Sequence, residues 1–224
     1  HNGVSADLHT VAGTGATSTA VGTGAATEIQ LAKASANGST IARTVAPGAA
    51  LPNSSLYVIH AGNGNAPLVE TDPRFTNYRQ WLSSDYMLQA LAIDPALSQK
   101  RMGDGFHEQR LIREQLAQLT GRRFIGDYRS DDEQYKALMD AGVTFGKAFG
   151  IRPGIALTQE QIAQLTSDIV WLVEREVGLA DGSRQKVLVP QVYVVTRAGD
   201  VMPDGALISG DSVKLQLSGD VRNS

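Results

Sequence analysis

The sequence predicts an α+β fold in which a helical body is followed by a β-hairpin and then by β-solenoid-like (parallel β-helix) strands at the C-terminal edge. Three observations predict it. The composition changes near Pro67, apolar residues recur at helical spacing from Thr76 to Val177, and they alternate with a period of two after Val177. The predicted segments are residues 1–66, 67–177, 178–204 and 205–224.

The first segment, residues 1–66, is rich in Gly, Ala, Thr and Ser and has only four Asp, Glu, Lys or Arg side chains. Such a stretch has few bulky groups to bury, so it cannot offset much chain entropy alone. Two interpretations stay open: a flexible linker, or short strands of a flat, Thr-rich stacked sheet at the N-terminal edge. Alternation at residues 27–31 and 39–45 suits the strands.

The second segment begins with two stretches of helical spacing. The first runs from Asn77 to Leu91, and the second runs from Phe106 to Thr120 and ends at Gly121. Between them, an Asp-Pro pair at residues 94–95 predicts a short helix, because Asp caps helices and Pro fits the first helical position.

Two capping boxes predict two further helices in this segment. Ser130 with Glu133 opens one, and Thr158 with Gln161 opens the other. We expect the first helix to bury Tyr135, Leu138, Met139, Val143, Phe145 and Phe149, and the second to bury Ile162, Leu165, Ile169, Leu172 and Val173.

The last two segments are predicted to be strands. Asp181-Gly182 is a strong hairpin turn, and Pro190 is expected to mark an edge or a bend. From residue 205, short alternating runs are separated by Ser-Gly-Asp turns at 209–211 and 218–220. This pattern is typical of one rung of a parallel β-solenoid, with an ordinary hairpin as the alternative.

Composition excludes several classes of protein. The chain has 224 residues, a formal net charge of −3 and no Cys, so disulfide scaffolds and Cys nucleophiles are excluded. Because no apolar run approaches the roughly 20 residues of a membrane span, we expect no transmembrane segment. The absence of a basic excess predicts no nucleic-acid partner. The start at His1, without Met or signal peptide, indicates an excised piece of a longer protein.

The motifs predict neither a metal site nor a cofactor site. His107-Glu108-Gln109-Arg110-Leu111 begins like a zinc-protease helix, but Leu111 stands where the second His must be. We therefore expect His107 on a helix surface beside Glu108. The glycine pairs lack the third glycine of a dinucleotide-binding loop, and no phosphate-binding loop with Gly-Lys-Ser/Thr is present.

The sequence also shows no convincing catalytic constellation, so we predict no catalytic residues and no enzyme. Glu70 and Asp72, flanked by Arg74, could serve in acid–base catalysis of a hydrolase, but capping and ion pairing are the favoured roles. Residues 131–133 are acidic at a helix start, which indicates compensation of the helix dipole rather than a metal site.

Aromatic residues offer the alternative of a binding module. Aromatic residues on helix faces usually belong to the hydrophobic core and less often form a surface for a ligand. We expect core positions for Trp171 and Phe145. The exposure of these aromatic side chains would distinguish a core role from a binding role, because aromatic residues that line an open groove could bind carbohydrate or a cell-surface receptor. The candidate partner-contacting residues are Tyr78, Trp81, Tyr86 and Tyr193.

Several long stretches resemble one family. They are residues 68–78, 80–87, 101–111, 165–173 and 187–193, which include Glu-Thr-Asp-Pro-Arg-Phe-Thr-Asn-Tyr, Gln-Trp-Leu-Ser-Ser-Asp-Tyr-Met and Arg-Met-Gly-Asp-Gly-Phe-His-Glu-Gln-Arg-Leu. Together they resemble the large secreted filamentous haemagglutinins of Gram-negative bacteria, which include CdiA-type effectors of contact-dependent growth inhibition. The resemblance covers roughly residues 51–224.

The resemblance implies a secreted, cell-surface exoprotein exported by two-partner secretion through an outer-membrane transporter. It implies that this segment is the non-repetitive module before a block of haemagglutinin repeats, the first of which would be residues 205–224. We therefore expect a structural or delivery segment of an adhesin or growth-inhibition effector, with no catalysis of its own. A target-cell receptor is an expected partner, and no active-site residues are carried over.

Overall fold

The computed structural model describes residues 29–33, 40–77 and 79–197. The predicted solenoid rung at residues 205–224 lies outside this range and stays a prediction. In chain order, the described residues form β1 (Ile29–Lys33), β2 (Thr40–Val45), β3 (Tyr57–Ile59), β4 (Val69–Thr71), α1 (Asp85–Ala90), a 3₁₀ turn (Pro95–Leu97), α2 (Gly105–Thr120), α3 (Asp131–Phe149), α4 (Gln159–Ile162), β5 (Ile169–Gly178) and β6 (Arg184–Arg197).

Two antiparallel sheets organise these elements. The larger sheet has the strand order β1-β2-β6-β5, and the smaller one is the β3-β4 hairpin. Single bridges from Val69 to Gly103 and from Arg101 to Leu188 connect the hairpin to β6 through the segment before α2. The described part of residues 1–66 thus contributes three strands.

The helices cover one face of the larger sheet and form the main core with it. Asp104 caps α2 and Ser130 caps α3, and both helices end at a left-handed glycine, Gly121 and Gly150. The predicted capping box of Thr158 and Gln161 is present. No helix within the described residues combines the length and the apolar character needed to cross a membrane.

The helix predicted to begin at Thr158 and to bury residues from Ile162 to Val173 is wrong in its second half. The helix α4 ends at Ile162, and residues from Ile169 onward form strand β5. The apolar residues at 169–173 are all buried, so their spacing fits a buried strand as well as a helix face. Their β-branched members favour the strand, which pairs with β6 along its whole length.

The predicted helix from Asn77 to Leu91 is much shorter in the structure. Asn77 has a positive φ of 53°, which a right-handed helix cannot accommodate, and the helix begins only at Asp85. In α3, Phe149 was also expected in the core but is 47% exposed beside the C-terminal glycine.

Pro190 lies inside β6, in the part of the strand that pairs with β5 but not with β2. The pairing of β2 with β6 covers only residues 193–197 of β6, so the missing N–H of Pro190 costs no bond to β2. The buried side chain of Gln115 takes the place of a partner strand. Its Nε2 donates to Pro190 O at 2.9 Å, and its Oε1 accepts from Val192 N at 2.8 Å.

Candidate functional site

The surface has an open groove of about 760 Å³ between the segment that leads into α1 and the first turns of α3. Trp81, Leu82 and Tyr86 line one side, and Asp132 and Lys136 line the other. A local sequence signal accounts for the second wall, since the side chain of Ser130 caps α3. Ser84 precedes α1, but its side chain makes no cap hydrogen bond.

Asp132 holds the two walls of the groove together. Its carboxylate pairs with the Arg79 guanidinium and accepts a hydrogen bond from the side-chain amide of Gln109. It also accepts one from Leu82 N at 3.2 Å. Asp132, one of the acids predicted to compensate the helix dipole, therefore connects the segment before α1, the helix α2 and the start of α3.

The groove aromatics already have cations against their rings. The guanidinium carbon of Arg79 lies 4.1 Å from the centre of the Trp81 ring, and Lys136 Nζ lies 5.2 Å from that of Tyr86. The Tyr86 hydroxyl donates to Asp140. Both rings therefore make cation–π contacts within the protein itself.

The structure separates the four candidate partner-contacting aromatics. Trp81 and Tyr86 are half-buried and line the groove, so they are open to a ligand. Tyr193 is only 2% exposed in β6, where it packs in the main core, so its candidacy as a contact residue is corrected. Tyr78 lies outside the described residues.

His107 is buried, which corrects the expected helix-surface position. It is 3% exposed because α2 is covered by the larger sheet on one side and by β3-β4 on another, and the Tyr57 ring packs edge-on at 5.4 Å. Among the described residues, neither ring nitrogen has a hydrogen-bond partner. Burial lowers the pKa of His107 to about 4.

Glu108 is also fully buried, beside the groove wall. Its Oε1 accepts from Ser84 N at 3.0 Å, and its Oε2 accepts from the Tyr135 hydroxyl at 2.9 Å. Burial raises the pKa of Glu108 to about 7 despite these two donors. The carboxyl group therefore joins α1, α2 and α3 at a point where it can gain or lose a proton near neutral pH.

The carboxylates of Glu70 and Asp72 have different partners. Arg74 binds Asp72 with distances of 2.6–3.1 Å and holds the pKa of that carboxyl group below its usual range, as expected for a structural pair. Glu70 instead pairs with His60, whose Nε2 lies 2.6 Å from Glu70 Oε2. Both partners of this second pair are partly exposed, at 37% and 47% of their side chains.

The pair of His60 and Glu70 was not predicted, because the two residues are ten positions apart and only the hairpin brings them together. The antiparallel register places Val58 opposite Glu70 and Ile59 opposite Val69. A prediction of the β3-β4 register would have found the pair. Within the described residues, no three His, Asp or Glu side chains converge as metal ligands.

Comparison with known proteins identifies the relatives of this chain. No family model matches it, and no solved structure does. A protein of Yersinia pestis called Toxin CdiA is 44% identical over 149 residues, which is 66% of this chain and 4% of the relative. The chain is homologous to a segment of CdiA-type proteins.

Two further CdiA relatives have names that state a substrate. The tRNA nuclease CdiA-2 of Burkholderia pseudomallei is 36% identical over 74% of this chain, and the 16S rRNA endonuclease CdiA of Enterobacter cloacae is 32% identical over 69%. The chain spans 5% and 4% of their lengths.

These names correct three expectations. The expected structural or delivery segment without catalysis, the expected absence of an enzyme and the expected absence of a nucleic-acid partner are wrong, because CdiA relatives are named nucleases of tRNA and 16S rRNA. The CdiA part of the resemblance is supported. None of the relatives described here is named an adhesin or a haemagglutinin.

Proposed function

We propose that the protein to which this chain belongs is an RNA-cleaving toxin of contact-dependent growth inhibition. It reaches the surface of the producing bacterium and acts on RNA in a target cell. One observation carries this proposal: the same stretch recurs, at 32–36% identity, in CdiA relatives named for the cleavage of two kinds of RNA.

The presence of this stretch does not distinguish between those RNAs. Relatives named for tRNA and for 16S rRNA both contain it, so the properties they share here are common to both activities. A common property of RNA nucleases is acid–base chemistry at the 2′-hydroxyl and the leaving oxygen. A second common property is the attraction of the protein for the phosphate backbone of RNA, which does not depend on the base sequence.

For the acid–base chemistry, the chain offers His60 and Glu70. The imidazole can take the proton of a 2′-hydroxyl as that oxygen bonds to the adjacent phosphorus and the bond from phosphorus to the 5′-oxygen breaks. Water protonates the departing 5′-oxygen, and the imidazolium then returns its proton to the solvent. Glu70 Oε2 lies 2.6 Å from His60 Nε2, so it orients the imidazole ring. Partial exposure of both side chains leaves them accessible to a substrate.

The test uses the full-length protein in a producing strain grown with target cells. We expect cleaved tRNA or 16S rRNA in the target cells, seen on denaturing gels, and at least about 100-fold slower cleavage for His60→Gln, the lower end of what general acid–base groups contribute. Asp72→Asn is the matched control, because it removes a half-buried carboxylate that directly follows β4 and forms its ion pair with the neighbouring Arg74.

Two results would contradict the proposal at different levels. Intact RNA in target cells inhibited by the wild-type protein would overturn the nuclease function itself. Equal cleavage by His60→Gln, Asp72→Asn and wild type, at equal surface amounts, would remove the pair of His60 and Glu70 from the chemistry and leave the nuclease function in place.

A further inference from the structure

The loop between α2 and α3, residues 121–130, has a concentration of arginines. Arg122, Arg123 and Arg129 are exposed, and the aromatic residues Phe124 and Tyr128 of the same loop are half-buried. We propose that this α2–α3 loop binds the phosphate backbone of RNA. The inference rests on the proposed function and specifies where this chain contacts the substrate class.

The charge of this region is opposite to that of the whole chain. The chain has a formal net charge of −3, whereas the loop itself, residues 121–130, contains three Arg and one acid, Asp127. The acids Asp131, Asp132 and Glu133 follow the loop directly, and Asp131 is paired with Arg123. A local basic patch of this kind attracts phosphates even when the whole protein is acidic. The average composition concealed this patch when it was used to exclude nucleic acid.

Hydrogen bonds to the loop backbone hold it in one conformation. Gln134 of α3 is 1% exposed; its Nε2 donates to Arg123 O and its Oε1 accepts from Ile125 N, both at 2.9 Å. Thr120 Oγ1 accepts from Arg122 N at 3.1 Å. The backbone is therefore ordered before any ligand binds, which reduces the entropy lost on binding.

Two of the loop arginines are available for phosphates. Asp131 neutralises Arg123, at 2.7 Å, and is also 3.6 Å from Arg113. By contrast, no carboxylate of residues 40–77 or 79–197 forms an ion pair with Arg122 or Arg129. Arginine guanidinium groups without a carboxylate partner are suited to bidentate contacts with phosphates.

The loop also leads directly into the groove. Ser130, which ends the loop and caps α3, is one of the groove residues, as is Glu133, whose carboxylate accepts from Arg129 N at 2.8 Å. A strand whose phosphates lie on Arg122 and Arg129 would pass by Trp81 and Tyr86 at the groove. Aromatic rings beside a basic track are the usual arrangement of proteins that bind single strands.

The test measures the binding of the 224-residue chain to a fluorescent, roughly 20-nucleotide 2′-O-methyl RNA by anisotropy over a range of salt concentrations. This RNA keeps the phosphates but has no free 2′-hydroxyl, so cleavage does not affect the result. For Arg122→Gln/Arg129→Gln we expect roughly tenfold weaker binding near 0.1 M salt and a salt slope smaller by about 1.4, since each phosphate contact on a single strand contributes about 0.7.

Lys147→Gln/Arg152→Gln is the matched control, because it removes the same charge from exposed positions at the other end of α3. Equal losses in the two double variants, or no binding by the wild type, would overturn the proposal. So would binding confined to vesicles containing phosphatidylserine, which would indicate a membrane surface instead. The outcome is independent of the cleavage test, since RNA binding without cleavage refutes only the nuclease function.

Discussion

At the scale of single residues, Glu108 is a buried group whose protonation state depends on pH near neutrality. Its carboxyl is fully buried among α1, α2 and α3, and the two donors that point at it, Ser84 N and the Tyr135 hydroxyl, do not compensate for the loss of water. The nearby Asp85 also opposes a second negative charge. The folded state therefore holds the proton of Glu108 at pH values where the unfolded chain has released it.

The sign of the effect on stability follows from the pKa of Glu108, which rises from 4.5 in the unfolded chain to about 7 in the folded one. The stabilisation of the folded state by protonated Glu108 is complete below pH 4.5 and is lost as the pH rises through 7. Between pH 5 and 7.5 the free energy of unfolding should fall by about 2 kcal/mol through this group. We expect the Glu108→Gln variant to lack this decrease, as measured by urea unfolding at both pH values.

His107 provides the reference for that measurement, because its effect has the opposite sign. Burial lowers its pKa from 6.5 to about 4, so the stability that depends on neutral His107 is lost as the pH falls below 6.5. A comparison of the pH dependence of wild type and Glu108→Gln cancels this contribution, which both share. An identical pH dependence in the two proteins would show that Glu108 keeps an ordinary pKa.

At the scale of elements, the contact of α3 with β5 depends on a glycine. A Cβ atom at Gly142 would lie 2.0 Å from Val170 O and 3.0 Å from the Met87 side chain. Val170 O is a backbone atom of β5, so it cannot move aside without displacing that strand. The helix therefore packs closely on the sheet only because this position has no side chain.

We expect Gly142→Ala to destabilise the protein by about 1–3 kcal/mol or more, because α3 must move away from β5. The free energy of unfolding in urea measures it. Gly178→Ala is the control, since this glycine lies in β5 itself and a Cβ there meets nothing within 4 Å. Equal stability of the two variants would mean that the close approach at Gly142 is absent.

How far the sequence predicts each element depends on whether the deciding signal is local. Capping residues and left-handed glycines are local, so both limits of α2 and the start of α3 were predicted within about one residue. The identity of β5 was not predicted, because Ile169 to Val173 is buried on both faces and has no distinguishing period. Only its pairing with β6 makes it a strand.

The same distinction holds for the candidate site. Trp81 and Tyr86 were predicted as candidates because exposed aromatics can be proposed from residue type alone. The pair of His60 and Glu70 depends on the register of a hairpin, and the burial of His107 and Glu108 depends on what covers α2. These are long-range contacts, which the spacing of residues within one helix or strand does not specify.

At the scale of the whole molecule, the β5-β6 hairpin connects two hydrophobic clusters. The larger cluster contains Trp171 and Leu188, and the smaller one contains Leu68, Met102 and residues of β5 and β6 such as Val187 and Val189. Neighbouring residues of β6 point to opposite faces, so the same strand contributes to both clusters. The α2 helix does the same, with Leu111 in the smaller cluster and Ile112 in the larger.

Because β5, β6 and α2 contribute residues to both hydrophobic clusters, we expect the protein to unfold in a single cooperative transition. We expect Leu68→Ala, which creates a cavity in the smaller cluster, to lower the stability reported by Trp171 in the larger cluster by about 2–5 kcal/mol. The measurement is urea unfolding followed by the fluorescence of Trp171, in a Trp81→Phe background, and by circular dichroism. Leu97→Ala is the control, because Leu97 is 86% exposed and its loss should change little. A Trp171 transition unaffected by Leu68→Ala, with an early step seen only by circular dichroism, would show that the two clusters unfold independently.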